Sequence, residues 1–257
     1  MTSYYLGADV GGTNTRILIA AEDGHAIGYG QSGPGNHEQV GYDGFTRAVQ
    51  AAAQHALTVA NITINQIDHA AFGIAGYDWP AERAETLGAL QSIGLSCPIE
   101  IVNDATIGLV AGSEAGWGIA IVSGTGCNCH GLDQTRRREG QVTGGGITLG
   151  EAAGSSELVA KAIQAVAYEW TRRGPATQLT ALLLKHTGTH TVESFLDRMM
   201  NGRLNLDAAA APLVFQAAHN GDEVALNLIR WAGHELAELA KAVIRQLDLA
   251  PLAFDVV

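Results

Sequence analysis

Apolar and polar positions come in short strand-length blocks over the first half of the chain and switch to helical spacing over the second. Tyr4–Val10 and Thr15–Ala21 are apolar runs separated by the turn-rich Gly11-Gly12-Thr13-Asn14, and His25–Gln31 follows the Glu22-Asp23-Gly24 turn as a third strand. The chain thus opens as an antiparallel meander. Phe45–Val59 carries apolar residues at helical spacing and predicts a helix crossing to a strand at His69–Ala75. A second such unit follows, with a helix at Ala81–Ile93, a short buried strand at Ile99–Val102 and a helix rich in small residues at Ala105–Ala115. Strand signal returns at Gly118–Val122 and Asn128–Leu132, joined by Ser123-Gly124-Thr125-Gly126. Beyond Gly144-Gly145-Gly146, helices are predicted at Glu157–Tyr168, Leu179–Lys185, Val192–Met200, Ala208–Ala218 and Glu223–Leu247, before a last strand begins at Phe254–Val257.

The pattern of strand, Gly-Thr turn and strand occurs twice, which predicts an α/β protein of two lobes, residues 1–112 and 113–257, with the helical run inserted in the second. The net charge of −11 has the wrong sign for a surface that holds nucleic acid through its phosphates. If the chain handles a nucleotide, backbone dipoles and a metal ion must supply the attraction. No apolar run reaches membrane-spanning length and no basic leader precedes the first strand, so no membrane partner and a cytoplasmic location are expected. Cys97, Cys127 and Cys129 are too few and too unevenly spaced for a disulfide scaffold, in keeping with a reducing compartment.

Three places carry candidate chemistry. In the first loop, Gly11 and Gly12 let the backbone approach an anion, Thr13 adds a hydroxyl, and Asp9 at the strand end has the reach to hold Mg²⁺ through water. A P-loop or a dinucleotide fingerprint would need a helix after the glycines, whereas Ile17-Leu18-Ile19-Ala20-Ala21 reads as strand. Gly124, Thr125 and Gly126 repeat the device, and two such loops in different lobes can grip a polyphosphate from both sides; each alone is equally a plain hairpin. Between them, Asp104 ends a strand where a helix begins, a position that suits both a helix cap and a general base for phosphoryl transfer. Cys127, Cys129 and His130 look like half a metal site, but the two cysteines read better as small buried thiols, and Arg136-Arg137-Arg138 reads as a solvated hairpin tip.

Taken together, Gly-x-Asp-x-Gly-Gly-Thr-x-Thr-Arg at 7–16, Asn-Asp-Ala at 103–105 and Ser-Gly-Thr-Gly-x-Asn-Cys at 123–129 resemble the BadF/BadG/BcrA/BcrD ATPase family, and within it the N-acetylglucosamine kinases. The resemblance implies two ribonuclease-H-like lobes of the actin-like ATPase kind around a cleft, ATP and Mg²⁺ as cofactors, a small-molecule sugar substrate and a homodimer. It assigns phosphate binding to Gly11, Gly12, Thr13, Asn14, Gly124, Thr125 and Gly126, and makes Asp104 the base on the sugar hydroxyl. Sugar contacts are implied at Asn36, His37, Asp78, Asn128, Gly145 and Glu151.

Two departures stand out against that pattern. Gly150-Glu151-Ala152-Ala153-Gly154-Ser155 stands where many of the kinases have Gly-Asp-Glu-Gly-Ser, so the acid reaches one methylene further and the sugar is open. The chain also ends as its last strand starts, which predicts a C-terminally truncated second lobe without the family's adenosine-binding turn. An ATPase that activates a partner reductase, and a sugar-binding regulator without turnover, are the competing functions. The cysteines of the activators sit in Cys-Ala-Ala-Gly-Thr-Gly, a context absent here, which favours the kinase.

Overall fold

The computed structural model describes residues 2–142 and 145–257. Two compact units make up the chain: one contains the chain up to Ala120 with His130–Glu139 and Phe254–Val257, the other Ile121–Cys129 and Gly140–Ala253.

In the first unit the order is β1 (Tyr4–Val10), β2 (Thr15–Ala21), β3 (Ala26–Ser32), α1 (His37–Ala60), β4 (Ile67–Ile74), α2 (Arg83–Ser92), β5 (Ile99–Asn103) and α3 (Asp104–Gly112). The strands lie in the order β3-β2-β1-β4-β5. Short turns make β1, β2 and β3 antiparallel, while the helical crossovers α1 and α2 make β1, β4 and β5 parallel. This is the mixed sheet of a ribonuclease-H-like lobe. Its register aligns Val10 with Ile74 and Ile74 with Asn103, so the carboxyl ends of the three parallel strands are level. Segments leaving those ends, 11–14, 75–79 and 104 onward, therefore emerge together at one edge, where open α/β sheets carry their sites.

Alternation along the strands builds the core. Leu6, Ala8, Val10, Ile17, Ile19, Phe72 and Ile74 point to one face and are buried with Phe45, Val49, Ala52 and Ala56 of α1. Helix and sheet approach closely there: a Cβ on Gly30 would lie 2.0 Å from the Ala52 carbonyl oxygen. On the opposite face a Cβ on Gly73 would lie 2.0 Å from Cδ1 of Ile107, so α3 is seated where β4 has no side chain. Helix α1 starts eight residues before the predicted Phe45 because Asn36 caps it and Gly41, at φ 67°, lets the chain kink between its first turn and the rest.

The other sheet has the order β8-β7-β6-β9, with β6 (Gly118–Ser123), β7 (Cys127–Leu132), β8 (Glu139–Val142) and β9 (Asp255–Val256). Residues of β6, β7 and β8 fall in both units. The β7–β8 turn is closed by Asp133, whose Oδ1 accepts from the backbone N–H of Arg137 and Arg138 at 2.9 and 3.1 Å, and the exposed arginines form the hairpin tip. Strand β8 has no counterpart in the sequence reading, since Glu139-Gly140-Gln141-Val142 lacks apolar alternation.

The second unit is mainly α4 (Ser155–Trp170), α5 (Gln178–Thr187), α6 (Val192–Met200), α7 (Pro212–His219) and α8 (Glu223–Gln246). They bury Leu158, Val159, Leu179, Leu183, Phe195, Val214 and Ala217 against one another. Among the described residues no helix is long and apolar enough to cross a membrane.

Candidate functional site

The first unit brings together Asp9, the 11–14 loop, Asn36, His37, Asp78 and Asp104 at the level ends of its parallel strands. Loop 11–14 is a closed turn: Gly11 N–H donates to the Asn14 carbonyl at 2.9 Å, and Gly35 N–H to the Gly11 carbonyl at 3.0 Å. Thr13 is exposed at its tip, and the Asn14 side-chain oxygen accepts from Gln31 at 3.0 Å. Asp9 is half-exposed and pairs with Arg16 Nη1 at 3.1 Å.

Asp104 is not the helix cap that its position allows. Asn103 takes that role: its Oδ1 accepts from Ala105 N–H at 3.0 Å, and Asp104 becomes the first helical residue. The Asp104 carboxylate keeps one short-range bond, from the same Ala105 N–H at 2.9 Å. Burial pushes its pKa up and the nearby Asp9 adds to this, while the Ala105 N–H and His130 oppose it.

Asn103 also holds the next carboxylate. Its Nδ2 donates to Asp78 Oδ1 at 2.9 Å and to the Tyr77 carbonyl at 3.3 Å. Burial drives the Asp78 pKa up to about 7, against the pull of His130 and with help from Glu38, Glu82 and Asp104. Glu82 organises the 78–79 segment by accepting from the N–H groups of Asp78 and Trp79 at 3.1 and 3.0 Å. His37 lies 3.6 Å from Glu82 through Nε2 and stacks on Tyr42 at 4.8 Å. The Asn36 oxygen is spent on the Glu38 N–H at 2.9 Å, which is the turn chemistry an asparagine has there by default.

In the second unit the Ser123–Gly126 loop is fastened to the start of α4. Ser155 N–H donates to the Gly124 carbonyl at 2.9 Å, Ser156 N–H to the Thr125 carbonyl at 3.0 Å, and Ser123 Oγ to the Ala153 carbonyl at 3.0 Å. A Cβ on Gly154 would fall 2.4 Å from Gly126 Cα, so the approach needs glycine. Gly124, Thr125 and Gly126 themselves are exposed. Asn128 and Glu151 lie in this unit as well, Glu151 buried and its N–H bonded to the Gly146 carbonyl at 2.9 Å. Gly145 is exposed; Gly144 of the same glycine run is outside the described residues.

Cys127 accepts from Ala153 N–H at 3.1 Å, and burial pushes its thiol pKa up. Burial takes Cys129 up to about 12. Both are protonated thiols at neutral pH, and a metal would have to displace those protons.

With the geometry in place, the family model described as BadF/BadG/BcrA/BcrD ATPase family matches residues 6–254. The chain belongs to that family. Among its relatives, an N-acetylmuramic acid/N-acetylglucosamine kinase of Clostridium acetobutylicum is 27% identical over 96% of this chain and 81% of its own length. An N-acetyl-D-glucosamine kinase of Dictyostelium discoideum is 24% identical over 95% of this chain and 80% of its own. A candidate N-acetylglucosamine kinase from Chromobacterium violaceum superposes with a TM-score of 0.76 at 26% identity, covering 99% of this chain and 86% of that one. The fold also matches a Streptomyces griseus ROK family glucokinase solved with glucose and AMPPNP, at a TM-score of 0.53 and 21% identity, over 93% of this chain and 80% of that one. Family and fold place the chain with the sugar kinases of the actin-like ATPase superfamily.

The sequence had marked the carboxylates and glycine loops of this family member. It had named Asn103 only as part of a motif and had not marked Glu82, the two residues that hold Asp78 and its segment in place. Asn103 was readable in principle, as an Asn directly before a helix start. Glu82 meets the site only through its bonds to the backbone of Asp78 and Trp79.

Proposed function

We propose that this family member transfers the γ-phosphoryl group of ATP to a hydroxyl of an amino sugar such as N-acetylglucosamine, with Asp104 as the base. The observation that carries the reading is the exchange of roles at 103 and 104: Asn103 caps α3, and the Asp104 carboxylate stands at the level ends of the parallel strands without a capping duty. Burial raises its pKa, which makes it a stronger proton acceptor than an ordinary surface carboxylate. In the reaction, Asp104 takes the hydroxyl proton as the sugar oxygen forms its bond to the γ-phosphorus. The bond from that phosphorus to the β-phosphate oxygen breaks, and ADP leaves with the electron pair.

Gly11, Gly12, Thr13 and Asn14, and separately Gly124, Thr125 and Gly126, are assigned to the phosphates, where the exposed Thr13 and Thr125 supply hydroxyl donors, while the Gly11 and Gly124 amides already close their own turns. Asp9 fits a hydrated Mg²⁺, because a half-exposed carboxylate is the kind of single hard ligand such an ion takes while keeping its waters. When bound, the ion neutralises charge on the phosphate oxygens. Asn36, His37, Asp78, Asn128, Gly145 and Glu151 are assigned to the sugar. Support comes from buried polar atoms that have no partner among the described residues, Nδ1 of His37 and Oδ1 of Asn128, since such atoms are costly unless a ligand pairs with them. With its pKa at about 7, Asp78 can donate to or accept from a sugar hydroxyl at neutral pH.

The test is ADP release with N-acetylglucosamine, with glucosamine and without sugar. Sugar-dependent release is expected; turnover that ignores sugar overturns the reading. Asp104→Asn should lower kcat by about 10³-fold, within the range that general base catalysis contributes. Sugar affinity by calorimetry should change less than about threefold, because the base acts mainly in the transition state. Unchanged turnover removes Asp104 from its role.

A further inference from the structure

Glu82 ends the Pro80–Glu82 turn just before α2, and its two carboxylate oxygens face two different elements. Oε2 accepts from the N–H groups of Asp78 and Trp79, at 3.1 and 3.0 Å. Oε1 lies 3.6 Å from Nε2 of His37, the first residue of α1. A second link joins α1 to the same glutamate through Thr86, which is only 1% exposed. The Thr86 hydroxyl donates to the Glu82 carbonyl at 2.9 Å, the Tyr42 hydroxyl lies 3.1 Å from Thr86 Oγ1, and the Tyr42 ring stacks on His37. The imidazole is thus held between the Tyr42 ring and the Glu82 carboxylate, with its side chain 8% exposed.

Capping the turn explains only one of these oxygens. A glutamate three residues after Trp79 satisfies the turn's N–H groups through Oε2, and a glutamine would do the same. The other oxygen has a different consequence. A carboxylate only accepts, so the ring nitrogen that faces it is the one that carries hydrogen, and in a neutral imidazole the remaining nitrogen is then an acceptor. That nitrogen, Nδ1, is buried and has no partner among the described residues, a costly state that a donor on a ligand relieves.

We propose that Glu82 is a positioning residue of the sugar site. It fixes the His37 ring with hydrogen on Nε2 and so presents Nδ1 as an acceptor to a donor of the sugar, a hydroxyl or an acetamido N–H. Its other oxygen holds the segment that carries Asp78. The inference rests on His37 and Asp78 being sugar contacts, but the state of the ring can be read without sugar.

The experiment compares the intact wild type with Glu82→Gln. The glutamine oxygen keeps the bonds from Asp78 and Trp79, while its NH₂ turns a donor toward Nε2 and reverses what is asked of the ring. The first readout is the ¹⁵N ring spectrum of His37 without ligand, assigned by its loss in His37→Gln. At about pH 8, above the ordinary histidine range, the wild type should carry its hydrogen on Nε2, and Glu82→Gln should move it toward Nδ1. The second readout is calorimetric titration with N-acetylglucosamine and, separately, with AMPPNP. In Glu82→Gln the sugar Kd should rise by about tenfold or more, since a donor then meets a donor where a hydrogen bond stood, and the AMPPNP Kd should stay within about twofold. A glutamate that only caps the turn leaves both readouts as in the wild type, and either one unchanged overturns the proposal. Sugar and nucleotide affinities that fall together also overturn it, because the loss is then a general one. If the wild type binds no sugar, the functional reading falls and the ring spectrum alone decides this inference. If Glu82→Gln does not fold, the wild-type spectrum decides it: hydrogen on Nε2 supports the proposal, and hydrogen on Nδ1 overturns it.

Discussion

Asp78→Asn should stabilise the protein at alkaline pH and leave it nearly unchanged in acid. The carboxyl has a folded pKa of about 7 against 3.8 for the free side chain, chiefly because it is buried. The folded state thus holds its proton more tightly than the unfolded state does. That difference favours folding fully below about pH 4 and is lost as pH rises to about 7, where ionisation in the folded protein completes the loss. One pKa unit is worth about 1.4 kcal/mol, so the whole effect is about 4 kcal/mol, of which about 3 falls between pH 5 and pH 8. An amide keeps the Oδ1 that accepts from Asn103 Nδ2 at 2.9 Å, so the substitution removes the charge and spares that bond. Thermal unfolding of wild type and variant at pH 5 and pH 8 is the assay. The variant should gain on the wild type by several degrees in Tm between the two pH values, at about 2–4 °C per kcal/mol for a chain of this size. Curves that stay parallel across pH would refute the account of Asp78 as a carboxyl held against its charge.

Two further outcomes test the second unit. Gly154→Ala puts a Cβ 2.4 Å from Gly126 Cα, so the Ser123–Gly126 loop must move off the start of α4; KM for ATP should rise by about tenfold or more, measured by ADP release, with the circular dichroism spectrum retained. Asp222→Ala removes at once the cap of α8, accepted from Ala225 N–H at 2.8 Å, and the bonds from Thr177 Oγ1 at 3.0 Å and Gln178 N–H at 2.7 Å, all on a buried carboxylate. Unfolding by denaturant should show a loss of about 2–4 kcal/mol, the range for a broken buried network together with a cap.

How far the sequence could be read depended on whether a residue's role is local. Strands β1 and β2 were legible to the residue because strict alternation burying Leu6, Ala8 and Val10 on one strand and Ile17 and Ile19 on the other is a local signal, closed by a glycine turn. Strand β8 was not, because four polar and small residues pair there only since the Asp133 turn folds them back onto β7. The start of α1 was hidden by Gly41, which breaks the helical pattern while Asn36 and Glu38 begin it. The same division runs through the site. Gly11, Gly12, Gly124 and Gly126 announce themselves by what a glycine-rich turn can do, and Asp104 by its place after a strand. Whether Asp104 caps its helix or stands free is decided by one neighbouring side chain, Asn103, whose two ends bond in opposite directions: the oxygen to the α3 backbone and the amide to Asp78. His130 lies further still from local logic. The sequence offered it only as half a metal site with Cys127 and Cys129, and its bond to Glu139, nine residues on, depends on the turn that folds β8 back onto β7. The candidate carboxylates and glycine turns were therefore readable from the chain, while the side chains that position them, Asn103 and Glu82, became readable only when the sheet and α3 had placed them.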